Sequence, residues 1–151
     1  FEKQFFESNK LTSYMDVNNH IEKNSAFNTP PTFSIFVMLK ILQWIVSIGG
    51  LKEIQKRNTL KATNLYDFLD NNSSHFITNA PIEYRSYANI VFDFTEKSLT
   101  ELFLHKSLEN GFLGLNGHRS VGGVRVSNYN SVTEEMIADF LLFLDQFISN
   151  N

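Results

Sequence analysis

Cysteine is absent from this chain, which removes disulfides and thiolate-held metals from consideration. The absence fits a reducing compartment, and the cytoplasm is the expected location. Positive charge is also short. Thirteen Lys and Arg against sixteen Asp and Glu leave a formal net charge of -3. A nucleic-acid surface would need a basic excess, so no nucleic-acid partner is expected. A long hydrophobic run is missing as well. The most apolar stretch, residues 33–48, falls short of the ~18 residues that a membrane span requires, and Lys40 and Gln43 interrupt it. No membrane partner is expected, and no signal-peptide pattern is visible. Three of the four histidines, His20, His75 and His105, are scattered without ligand-like spacing, so no metal site is expected.

What the chain does have is apolar bulk. Hydrophobic residues make up 42% of 151, with fifteen Phe, enough for one domain with a sizeable core. Prolines number only three, and two of them are adjacent, in Asn28-Thr29-Pro30-Pro31. A double proline cannot lie inside a helix, and Pro31 suits the first turn of the helix that follows. That helix should run to Gly49-Gly50, a natural stop. Its polar residues Lys40, Gln43 and Ser47 form one narrow stripe, which predicts a nearly buried helix. Upstream, residues 1–27 show no clear period, with turns expected at Asn18-Asn19 and Asn24-Ser25.

A second helix is predicted from Leu51 to about Asn71. Leu51, Ile54, Asn58, Ala62, Leu65 and Leu69 share its apolar face, and Lys52, Glu53, Lys56 and Lys61 occupy the rest. Strands are expected at residues 75–78 and 89–94. Ser98 with Glu101 reads as a capping box for a helix to about Asn110, which Gly111 closes. The short segment 112–115 reads as strand-like, and 124–129 as a strand. Ser131 with Glu134 reads as a second capping box, opening a final helix with Met136, Ile137, Phe140, Leu141, Leu144, Phe147 and Ile148 on one face. Helices on a small, mostly antiparallel sheet make the expected fold class α+β.

The most telling run is Gly117-His118-Arg119-Ser120-Val121-Gly122-Gly123-Val124-Arg125. Guanidinium forks grip carboxylate or phosphate with paired hydrogen bonds. Two forks and an imidazole around a glycine turn suit a small substrate with more than one anionic group. A surface turn with solvated cations accounts for the same spacing.

Three blocks together resemble the phosphoserine aminotransferase family, pyridoxal-phosphate enzymes of fold type I. They are Asn28-Thr29-Pro30-Pro31-Thr32-Phe33 with the helix carrying Trp44 and the Gly49-Gly50 stop; Arg85-Ser86 with Asn89 and Phe92; and Gly117 to Arg125 with Ser127, Tyr129 and Asn130. Tyr87 and Ala88 depart from the pattern, since relatives often carry a basic residue and Met there.

The resemblance implies transfer of the glutamate amino group to 3-phosphohydroxypyruvate, giving phosphoserine and 2-oxoglutarate in serine biosynthesis, with a further role in vitamin B6 (pyridoxine) biosynthesis in many relatives. It implies a homodimer with active sites at the subunit interface and pyridoxal 5'-phosphate as cofactor. Asn28 and Thr29 match residues that reach the cofactor phosphate of the other subunit; a turn and helix cap is the plainer role. Arg125 matches the arginine that holds the substrate α-carboxylate, against a cross-strand ion pair. His118 and Arg119 match the pair that meets the substrate phosphate or the glutamate side chain.

The family's cofactor-binding lysine lies upstream of the Asn-Thr-Pro-Pro block. Lys3, Lys10 and Lys23 lack its surrounding motif, so no catalytic residue is assigned, and the chain, which opens on Phe1, is expected to be an inactive C-terminal fragment. Residues 1–31 are expected to belong to the large domain and the interdomain connection, and residues 32–151 to the small C-terminal domain. Another fold-type I aminotransferase and a non-catalytic dimerisation remnant are the alternatives.

Overall fold

The computed structural model describes residues 12–78 and 80–151. The chain divides into two compact units, the first ending at Trp44 and the second running from Ile45 to Asn151.

In the first unit, helix α1 spans Val17–Glu22. Asp16 caps it, its carboxylate accepting from the Asn18 amide at 3.0 Å. Asn18-Asn19 is therefore helical rather than a turn, because the acidic cap just ahead captures the exposed amides. The Asn24-Ser25 turn is present, both residues adopting positive φ (48° and 65°). His20 is tied to the Tyr14 carbonyl at 2.8 Å and lies edge-on to Tyr14 and Phe27. Pro30 and Pro31 end this segment. The Pro31 carbonyl accepts from the Ile35 amide at 3.0 Å, so Pro31 sits just before helix α2 (Thr32–Ser47) rather than within its first turn.

Helix α2 corrects one expectation. Its polar stripe predicts a nearly buried helix, yet none of its residues is buried, and Phe33 is 78% exposed. Its apolar composition registers a need for cover. Among the described residues no single helix is long and apolar enough to cross a membrane.

The second unit carries the sheet. Strands β1 (Phe76–Thr78), β2 (Asn89–Phe94), β3 (Asn116–His118) and β4 (Gly122–Ser127) are ordered β1-β2-β4-β3, every neighbour antiparallel. Helices α3 (Gly50–Asn71), α4 (Ser98–Glu109) and α5 (Glu134–Ser149) complete the α+β layers. The period of two decides the faces. Ile90, Phe92 and Phe94 of β2 and Val124 and Val126 of β4 are buried. They join Leu65 and Leu69 of α3, Phe103 of α4, and Phe140, Leu144 and Phe147 of α5 in one core. Burying a side chain of this size stabilises by about 1.5–3 kcal/mol. The alternate residues, Asn89, Val91 and Asp93 on β2 with Arg125 and Ser127 on β4, lie on the opposite face and are half-buried.

The local boundaries differ from expectation in instructive places. The segment 112–115 is not a strand; β3 starts at Asn116, so the glycine-rich run is itself a hairpin. Ser98 does not cap α4. Its hydroxyl donates to the Glu96 carboxylate at 2.6 Å, and Lys97 holds the cap position without a side-chain bond. Thr133, not Ser131, caps α5, accepting from the Met136 amide at 3.2 Å. On α3, Leu51 is 76% exposed while Lys61 is only 2% exposed, the reverse of their expected places. The Lys61 ammonium donates to the carbonyls of Tyr129 (3.0 Å) and Val132 (2.7 Å), which satisfies the buried charge. Burial holds its pKa below the usual lysine range, while nearby Glu134 opposes the shift.

Candidate substrate-anion site

The hairpin of β3 and β4 presents most of the residues singled out in the sequence. His118 is the last residue of β3 and pairs with Gly122, the first of β4. Arg119, Ser120 and Val121 form the tip between them, closed by the Val121 amide donating to the His118 carbonyl at 3.0 Å. The sharpness of the hairpin depends on glycine. Gly122 and Gly123 both adopt φ near +75° (77° and 74°), a region that side chains with a Cβ rarely occupy. A Cβ on Gly117 would collide with the Gly122 carbonyl oxygen.

His118 and Arg119 are exposed at this tip. His118 Nδ1 lies 2.7 Å from the Ser120 hydroxyl, and the Ser120 amide donates to the same nitrogen at 3.3 Å. Arg119 makes no ion pair among the described residues.

Arg125 sits three positions beyond Gly122, about 10 Å along β4 at the usual strand rise. It lies opposite Val91, on the sheet face turned away from the core. The cross-strand ion pair considered for it is not formed among the described residues. Its Nε is buried without a partner, and a buried donor left unpaired is costly. No hydrogen bond joins Arg125 to His118 or Arg119. The hairpin places them in sequence along one ribbon.

The segment after β4 is pinned from several directions. Besides the Lys61 bonds, the buried Asn128 side chain donates to the Tyr87 carbonyl at 2.9 Å, Asn58 bridges to Asn130 at 2.7 Å, and the Tyr129 hydroxyl donates to Asn89 at 3.3 Å. Lys61 and Asn128 were missed by the sequence reading. A single lysine on an otherwise charged helix face carries no sign that it is inward.

Arg85 shows what an engaged arginine looks like in this fold. Both terminal nitrogens bind the Asp70 carboxylate at 2.7 Å, one also reaches Thr78 at 3.2 Å, and the guanidinium lies 4.5 Å over the Tyr66 ring. The bidentate bond from Arg85 holds the Asp70 carboxyl below the usual carboxylate range. Arg85 thus has an ion-pair partner, which Arg119 and Arg125 lack among the described residues, although the Nε atoms of Arg85 and Arg125 are alike buried without a partner.

Asn28 and Thr29 belong to the first unit. Both are exposed between the end of the first turn region and α2, and neither side chain bonds another described residue. An unengaged side-chain amide and hydroxyl are a chemically suitable donor set for the phosphate of pyridoxal phosphate. Among the described residues no cluster of three or more His, Asp or Glu could hold a metal ion.

Residues 7–140 match the model of the aminotransferase class-V family, and the chain belongs to that family. Within it, the similarity to phosphoserine aminotransferases is strong. The phosphoserine aminotransferase of Halalkalibacterium halodurans is 45% identical over 125 residues, covering 81% of this chain and 35% of the relative. That of Wigglesworthia glossinidia brevipalpis is 41% identical over 146 residues, covering 94% of this chain and 40% of the relative. The solved phosphoserine aminotransferase of Bacillus circulans subsp. alkalophilus superposes with a TM-score of 0.86 at 35% identity, covering 93% of this chain and 39% of the solved one. The chain thus spans well under half the length of the relatives it matches.

Proposed function

We propose that this chain is the C-terminal part of a phosphoserine aminotransferase, supplying the substrate-anion residues and a cofactor-phosphate contact. The observation that carries the reading is the glycine hairpin. It holds an imidazole and a free guanidinium at its tip and a second guanidinium, with a buried unpaired Nε, on the adjoining strand. Two separated anion receptors suit a substrate with an α-carboxylate and a distal anion. Arg125 takes the α-carboxylate, and His118 with Arg119 take the phosphate of phosphoserine or 3-phosphohydroxypyruvate, or the side-chain carboxylate of glutamate.

Pyridoxal phosphate, when bound, supplies the electron sink that lets an amino group move between carbon skeletons. Asn28 and Thr29 hold its phosphate in the neighbouring subunit of a homodimer. The lysine that anchors it belongs to a part of the enzyme other than these 151 residues, since Lys3, Lys10 and Lys23 lack the family motif. The exposed apolar surface of α2 supports the homodimer and large-domain reading, because such a surface calls for protein cover. In this reading residues 1–31 connect the large domain to the small domain of 32–151, and the enzyme is cytoplasmic. It serves serine biosynthesis, with pyridoxine biosynthesis as a second use of the same phosphate receptor.

The test is the amino donor. The full-length enzyme that carries this chain, given 2-oxoglutarate, should accept phosphoserine far better than unphosphorylated serine. Equal kcat/KM for the two donors would remove the distal-phosphate reading and favour another aminotransferase of the same fold.

A further inference from the structure

We infer that Ser120 is a positioning residue for the distal anion, acting by holding the His118 ring with its proton on Nε2. The inference rests on the reading of His118 and Arg119 as the distal-anion receptor. Two groups of Ser120 converge on His118 Nδ1: the amide donates to it at 3.3 Å, and the hydroxyl oxygen lies 2.7 Å away. A backbone amide can only donate, so Nδ1 must offer a lone pair. The hydroxyl, aimed at the same nitrogen, then donates as well. A neutral imidazole that accepts at Nδ1 carries its proton at Nε2. Nε2 bonds no described residue, so the Nε2–H is left available.

The consequence is chemical. A phosphate or carboxylate oxygen accepts hydrogen bonds, so it needs a donor from the ring. The other tautomer would turn a lone pair toward the anion and repel it. Ser120 removes that tautomer before the substrate arrives, and it fixes the ring plane. The closed turn between His118 and Val121 keeps the serine two residues past the histidine, within reach of Nδ1. Ser120 needs no contact of its own with the anion. Its whole effect passes through His118, as the outer partner of a ligating histidine does at a metal.

The experiment is nitrogen NMR on the chain labelled at histidine and arginine, at a pH where the imidazole rings are neutral, with inorganic phosphate as the probe. His118→Ala assigns the signal by removing it. In the unaltered chain Nδ1 should give the pyridine-like signal and Nε2 the pyrrole-like one. Ser120→Ala should move both toward averaged values, and Ser120→Thr, which keeps the hydroxyl, should restore them. Phosphate should perturb His118 and the Arg119 guanidinium, and Ser120→Ala should weaken that binding by about three- to tenfold. In a His118→Ala background the same serine change should cost nothing further.

A proton found on Nδ1, or ring signals indifferent to Ser120→Ala, would overturn the inference. So would a full-sized serine effect without His118. Phosphate that perturbs neither His118 nor Arg119 would instead sink the distal-anion reading, while the tautomer result would still decide the role of Ser120.

Discussion

At Gly117 a single hydrogen atom stands where a methyl group would collide with the opposing strand. The atoms that such a methyl group would strike, the Gly122 carbonyl carbon and oxygen, belong to the backbone, so no side chain can rotate away. Gly117→Ala should therefore destabilise the chain by about 1–3 kcal/mol through overpacking. Denaturant unfolding checks this, and an unchanged midpoint would show that the hairpin opens freely there. The requirement for glycine was legible in the sequence as a glycine-rich turn, but its geometric reason was not. Only the strand register brings Gly117 beside Gly122. The same limit applied to cations. Arg119 and Arg125 stood out in the sequence through their neighbours, and neither forms an ion pair among the described residues. Arg85, in a weaker motif, has both terminal nitrogens bound by Asp70 and Thr78 and its guanidinium over Tyr66, while its Nε, like that of Arg125, is buried without a partner. Lys61 was assigned to the solvent face because its charge suggested it. Two carbonyls from a segment some seventy residues downstream changed the balance, and such partners cannot be seen in a local pattern.

Elements were read better than their ends. Strand β2 is where the alternation of Ile90, Phe92 and Phe94 placed it, and α5 follows its apolar face. Caps failed where two candidates stood close together. Near α5 both Ser131 and Thr133 can accept from a backbone amide, and only the extended backbone at Thr133 (φ -87°, ψ 167°) sets its oxygen over the first turn. Thr133→Ala should cost about 1 kcal/mol of stability, and Ser131→Ala only a few tenths. Thermal unfolding of the two variants distinguishes them, and the opposite ranking would restore the capping box. The strand read at 112–115 was displaced to 116–118 for a related reason. Its apolar residues Phe112 and Leu115 pack toward the core from an irregular segment, and burial alone does not make a ladder.

At the scale of the whole molecule, the fold class was readable because helix and strand periods alternate along most of the chain. The exposure of α2 was not, because an apolar helix declares only that it needs cover. The family match is strong, and the chain spans 35–40% of those relatives' length. The central claim is that the β3–β4 hairpin divides the substrate between a distal-anion receptor and an α-carboxylate receptor. Its most direct test is kcat/KM for phosphoserine and for glutamate in the full-length enzyme with Arg119→Ala and with Arg125→Ala. Losing a charge-assisted hydrogen bond costs roughly 1.5–3 kcal/mol, about one to two powers of ten in specificity. Arg125→Ala should lower both values by at least that much. Arg119→Ala should lower the phosphoserine value more than the glutamate value, because a phosphate dianion offers more charge and more acceptor oxygens. An unchanged phosphoserine value in Arg119→Ala, or an Arg125→Ala defect confined to one of the two substrates, would contradict the account.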